Sequence, residues 1–190
     1  MTVTVDKLQT QIAQAKNATT NAEASSFEGI FEAHWPRVYA VIYRMVGDPA
    51  EAEDLALEVF LRLHQRPPRN AKNIPGWLYR VATRLGLNAI RARNRREGYE
   101  RRAGRISLEG NPPANPARQV EEAEERQKVR YVLSKMKKRS AKILILRHSD
   151  LSYAEIAAAV GISPKSVGTL LARAEREFER RYRVLEGCER

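Results

Sequence analysis

The sequence predicts an all-α protein, built as two small helical domains joined by a flexible linker, with a helix-turn-helix in the C-terminal domain. Three observations carry that prediction. Apolar residues recur at steps of three and four along residues 27 to 97 and again from 121 to 187, the spacing that lines one face of a helix. Aromatics make up only 7% of the chain, which favours helical packing over an aromatic-rich sheet. Between the two runs lies GNPPANPARQ, where Pro and Gly break regular structure. The expected organisation is therefore a polar tail over 1–26, a domain over 27–97, a linker over 98–127 and a domain over 128–187.

The elements follow in order. The tail is rich in Thr, Ala, Asn and Gln and lacks large apolar anchors, so it reads as flexible with at most a short helix. Phe27, Ile30, Phe31, His34, Val38, Ile42 and Met45 form the first helical stripe. Pro36 interrupts it and predicts a kink, or a break with a fresh start. Gly47-Asp48-Pro49 then punctuates: Asp48 can cap, Pro49 suits a first helical turn, and Glu51 completes a box-like start. The next stripe is Ala52, Leu55, Ala56, Val59, Phe60 and Leu63, while Glu51, Asp54 and Glu58 share another face. Arg66 to Asn73 reads as a loop. Pro75 restarts a helix with Trp77, Leu78, Val81, Ala82 and Leu85 mostly inward and Arg80, Arg84, Arg91, Arg93, Arg95 and Arg96 outward. In the second domain a helix beginning near Glu121 ends on Val129, Val132, Leu133 and Met136. A shorter one carries Ile143, Leu144 and Leu146 to about His148.

The segment after it is the most informative. Ser152-Tyr153-Ala154-Glu155 is a capping box that opens a short helix from Tyr153 to Ala159. Ala157 is small where crossing helices come closest. Gly161 sits where a turn needs positive φ. Ser163-Pro164 opens the next helix, with a cap followed by proline at the first position. Ile156, Val160, Ile162, Val167 and Leu170 or Leu171 are spaced to fill the core between the two helices. A short helix, a tight glycine turn and a second helix form the motif that sets its second helix in the DNA major groove. Ser163, Lys165, Ser166 and Thr169, with Arg173 one turn on, would face bases or phosphates.

Charge agrees with a polyanionic partner. Lys and Arg total 34 against 23 Asp and Glu, a net +11, which points first to nucleic acid and second to an anionic membrane surface. Cys188 is the only cysteine, so an internal disulfide framework is excluded, which fits a reducing cytoplasm. No run approaches the roughly 20 apolar residues that span a bilayer, and the N-terminus has no signal-peptide pattern, so neither export nor membrane insertion is expected. His34, His64 and His148 lack metal-ligand spacing, and no cofactor or catalytic group is expected.

Three segments in one order, GDPAEAEDLALEVFLRL, GWLYRVATRLGLNAIR and LSYAEIAAAVGIS, with a linker before the third, resemble an extracytoplasmic-function sigma factor of the sigma-70 superfamily. The resemblance spans Phe27 to Arg96 and Val129 to Tyr182. It implies a non-enzymatic protein that binds core RNA polymerase and carries it to promoter DNA in the bacterial cytoplasm. It implies that Asp54, Leu57, Glu58 and Leu61 meet the clamp helices of the largest polymerase subunit. It assigns Arg69, Asn70, Lys72, Asn73, Trp77, Tyr79, Arg80, Arg84 and Arg91 to the separated minus-ten strand, with Trp77 and Tyr79 as stacking surfaces and Tyr79 the better candidate for exposure. Ser163, Lys165, Ser166, Thr169 and Arg173 fall on the minus-thirty-five reader. An anti-sigma or recruiting protein is a further partner in the family.

The chain departs from the family pattern in places. Leu57 stands where glutamine is common and Arg84 where asparagine is frequent. Ser149-Asp150 replaces a usual glycine turn, and Gly168, Thr169 and Leu170 follow Val167 where a basic residue, serine and arginine are typical. Two other readings stay open on the sequence. One is a stand-alone helix-turn-helix regulator; the other is a sigma-like interaction module with weakened DNA reading.

Overall fold

The computed structural model describes residues 26–68, 73–102 and 116–187. These form seven helices: α1 (Phe27–Val46), α2 (Pro49–Gln65), α3 (Ile74–Arg102), α4 (Pro116–Lys135), α5 (Lys138–Arg147), α6 (Tyr153–Val160) and α7 (Pro164–Gly187). Among the described residues there is no strand. The chain divides into two compact units, 1–37 and 38–190. Arg69, Asn70, Lys72, Cys188 and nearly all of the N-terminal tail lie outside the described residues.

In the first unit, α1 carries an aromatic ladder at four-residue steps. Phe27 lies 6.2 Å from Phe31, and Phe31 stacks on Trp35 at 5.0 Å between ring centroids. The helix does not stop at Pro36 but runs through it as a 20-residue element. Proline removes one backbone donor, and the rest of the ladder carries the helix on.

In the second unit the core takes in most of the stripes read from the sequence, with Val41 added and Leu55 only half-buried. Val38, Val41, Ile42 and Met45 of α1 are buried with Ala52, Ala56, Val59, Phe60 and Leu63 of α2. Asp48 caps α2, its Oδ1 accepting from the Glu51 backbone N–H at 2.7 Å. Glu51 does not complete the box. Its carboxylate pairs instead with Arg93 of α3, which also donates to the last carbonyl of α1, Val46, at 2.9 Å. Helix α3 runs on to Arg102, beyond the expected end near 97, and α4 starts at Pro116, so the break is shorter than the sequence predicted.

The second half of this unit is a tight cluster of α5, α6 and α7 on the end of α4. Ile143, Leu146, Leu151, Ile156 and Val167 are at most 1% exposed. Leu171 is the core residue of α7, and Leu170 is only half-buried. No side chain of its own caps α5; the Glu177 carboxylate of α7 accepts from the Lys137 backbone N–H at 3.4 Å.

Candidate nucleic-acid interface

Local chemistry fixes the helix-turn-helix. Ser152 and Glu155 form both halves of the capping box. Gly161 ends α6 in the left-handed conformation, φ 76°, where an L side chain costs roughly 1–2 kcal/mol. Its N–H and that of Ile162 both donate to Ala157 O, at 2.8 and 3.0 Å, which closes the turn. The missing glycine before Leu151 has a physical replacement. Asp150 itself adopts φ 58°, a conformation short polar side chains tolerate.

The turn leaves the start of α7 open to solvent. Ser163, Lys165, Ser166, Thr169 and Arg173 are all exposed, while Val167 beneath them is buried. Gly168 sits under the Tyr153 ring, and a Cβ there would meet Tyr153 Cε2 at 3.8 Å, an ordinary contact. The Arg147 guanidinium lies 6.0 Å from the centroid of the same ring. A helix that enters a DNA groove needs polar tips on a rigid frame, and the start of α7 has exposed polar tips over a buried Val167.

Helix α3 is different. Asn73 caps it, its Oδ1 accepting from the Gly76 N–H at 3.1 Å. Trp77 is half-buried. Tyr79, expected to be the more exposed ring, is 1% exposed, so it offers no stacking face in this arrangement. The reason is that α3 buries more than one stripe. Leu78, Tyr79, Val81, Ala82, Thr83, Leu87 and Ile90 are all inward. The sequence shows an α3 stripe of single width, because it cannot show that helices pack on two sides of it.

Arg80 and Arg91 of α3 have partners within the chain, although Arg80, like Arg84, Arg95 and Arg96, stays exposed. Arg80 donates to Ala159 O at 3.1 Å and to Ala158 O at 3.0 Å. Arg91 donates to Ser134 O and Met136 O, both at 3.1 Å. Burial, then the neighbouring Arg95, holds the Arg91 guanidinium below its ordinary value. Arg84 is exposed. Lys142 of α5 joins this basic group; burial first, then Arg84, Arg80 and Lys138, pushes its ammonium down. Lys142 was not singled out from the sequence, where nothing marks it as a neighbour of α3.

Helix α2 keeps one face uncovered. Asp54, Leu57, Glu58 and Leu61 fall at three- and four-residue steps on it, opposite the buried stripe. Leu57 and Leu61 are each 48% exposed. Glu58 pairs with Arg62 at 2.6 Å, a half-exposed i,i+4 pair that leaves the leucines as the distinctive feature. Among the described residues no three His, Cys, Asp or Glu side chains gather as a metal site requires, and no helix is long and apolar enough to cross a membrane.

The fold and the exposed polar face of α7 define a helix-turn-helix protein, and its relatives sharpen that. Residues 30–96 match Sigma-70 region 2 and residues 126–178 match Sigma-70, region 4. The ECF RNA polymerase sigma factor SigE of Mycolicibacterium smegmatis is 29% identical over 167 residues, 82% of this chain and 60% of that protein. SigW of Bacillus subtilis is 34% identical over 86 residues, 44% of each. The RNA polymerase sigma factor CarQ of Myxococcus xanthus is 29% identical, covering 84% of this chain and 89% of its own length. Thus the chain spans 60% or less of SigE and SigW. CnrH, solved in complex with the cytosolic domain of CnrY, shares the fold with a TM-score of 0.53 and 16% identity, covering 87% of this chain and 94% of CnrH. The chain belongs to the sigma-70 family, in its extracytoplasmic-function group.

Proposed function

We propose that this chain is a transcription initiation factor. It binds the clamp helices of core RNA polymerase through α2, reads the separated minus-ten strand through α3 and the loop before it, and reads the minus-thirty-five duplex through α7. It works in the cytoplasm and supplies no catalytic group, since the polymerase performs the chemistry.

The observation that carries this reading is the uncovered face of α2. A helix-turn-helix alone suits any duplex-binding regulator. Exposed Leu57 and Leu61 flanked by Asp54 and Glu58 suit a protein partner with an apolar, basic-rimmed surface. A Leu57→Glu/Leu61→Glu chain should lose at least about 2 kcal/mol of core-polymerase affinity, roughly thirtyfold. The test is transcription from genomic fragments by purified core polymerase with and without the chain. Discrete transcripts that require the chain, and vanish with the double variant, support the reading. No chain-dependent transcript, together with no co-elution with core, overturns it.

The stand-alone regulator is a second reading, favoured by the exposed tips of α7. It requires tight, sequence-specific duplex binding by the chain without polymerase.

A further inference from the structure

Where α3 passes the end of α4, the two helices enclose a cleft of about 390 Å³. Helix α3 lines it with Arg91, Asn94, Arg95, Gly98 and Tyr99, which share one face at steps of three and four. Helix α4 adds Ser134 and Lys135. None of these lining residues is acidic. The Lys135 ammonium is steadied by the Tyr131 ring, its Nζ 5.1 Å from the centroid. Burial and then Arg95 hold the Arg91 guanidinium below its ordinary value, as cations do when grouped without a counter-charge. Such a group gains from an anion, above all from phosphate oxygens.

The carbonyls at the end of α4 would oppose an anion. Here two of them are taken, since Arg91 donates to Ser134 O through Nε and to Met136 O through Nη2, both at 3.1 Å. Its Nη1 makes neither bond and is left for a ligand. Asn94 donates to Ser134 Oγ at 2.7 Å, and Ser134 donates on to Tyr131 O at 2.7 Å, so the polar wall is held in place. Tyr99 stands at the edge and is 69% exposed, more than any other large apolar side chain among the described residues. Gly98 beside it keeps the cleft open, because a Cβ there would meet nothing within 4 Å.

We propose that this cleft binds a nucleoside polyphosphate, with the phosphates on Arg91, Arg95 and Lys135 and the base stacked on Tyr99. Three cations suit a chain of phosphates better than a single one, and an aromatic face accepts any base. The volume falls in the range of small-molecule sites, roughly 300–1,000 Å³. Arg91 is shared with the proposed minus-ten face. Arg95, Tyr99 and Lys135 are extra to it, so the site does not rest on that reading and the two can fail separately.

The test uses the full chain and N-methylanthraniloyl ATP, followed by fluorescence anisotropy at about 0.15 M salt, where generic charge attraction is screened. Binding should saturate below about 1 mM and reverse with unlabelled ATP. Arg95→Gln and Lys135→Gln should each weaken it about tenfold or more. Tyr99→Ala should cost at least about fivefold, while Tyr99→Phe, which keeps the ring, stays within about twofold. Gly98→Leu is the decisive variant. It fills the cleft without altering charge, and leucine suits a helix better than glycine, so helix content by circular dichroism should hold while nucleotide affinity falls about tenfold or more. A fluorescein-labelled single strand of random sequence should bind the Gly98→Leu chain within about twofold of the parent, which keeps this site apart from the minus-ten reading. Absence of saturable nucleotide binding overturns the proposal. So does binding indifferent to Gly98→Leu, or inorganic tripolyphosphate displacing the probe as well as ATP does, which would leave Tyr99 without a role.

Discussion

Helices α3 and α7 carry similar residues and use them differently. Both present arginine, polar groups and an apolar stripe. Yet α3 is buried along most of its first turns and donates two arginines to carbonyls of other helices, whereas α7 buries a narrow stripe and leaves its polar tips in solvent. The difference shows that the job of a guanidinium is set by what lies opposite it. An arginine facing a helix C-terminus is a cap, and the same arginine facing phosphate is a nucleic-acid contact.

That contrast can be broken most forcefully in the core. Leu78 of α3 is fully buried, so Leu78→Ala should cost about 2–5 kcal/mol of unfolding free energy in urea denaturation. The exposed Thr169→Ala on α7 should stay within about 0.5 kcal/mol. Equal costs would mean that α3 is no more a core helix than α7.

Next is the turn that aims α7. Gly161→Ala forces a Cβ into the left-handed region and should cost roughly 1–2 kcal/mol, measured by the same denaturation. A smaller effect of opposite sign belongs to Gly168. Its helical position has room for a Cβ, so Gly168→Ala should raise stability by about 0.8–1 kcal/mol. Last, Lys165→Ala should reduce the dependence of log duplex affinity on log salt by about 0.9, one phosphate contact, with stability unchanged.

Much of this was legible in the sequence because it is local. The capping box at Ser152, the cap at Asp48 and the glycine turn at Gly161 each depend on residues three or four apart. The stripes of α2 and the inward face of α7 follow from helical period alone. What was not legible is long-range. Tyr79 is buried because α3 is covered on more than one side, and no periodicity in α3 states that. Arg44, Arg80 and Arg91 reach carbonyls 104, 79 and 43 residues away, and a basic residue looks the same before its partner is known. Asp150 taking the place of a glycine was readable only as an anomaly; its left-handed backbone shows how the turn is made without one.

The central claim is that α3 is occupied by its own chain while α7 is open. Arginine modification by phenylglyoxal, read residue by residue in mass spectra, tests it directly. In the free chain Arg173 should react several-fold faster than Arg91, roughly in line with a contact worth about 1 kcal/mol. Equal rates for Arg173 and Arg91 would contradict the account.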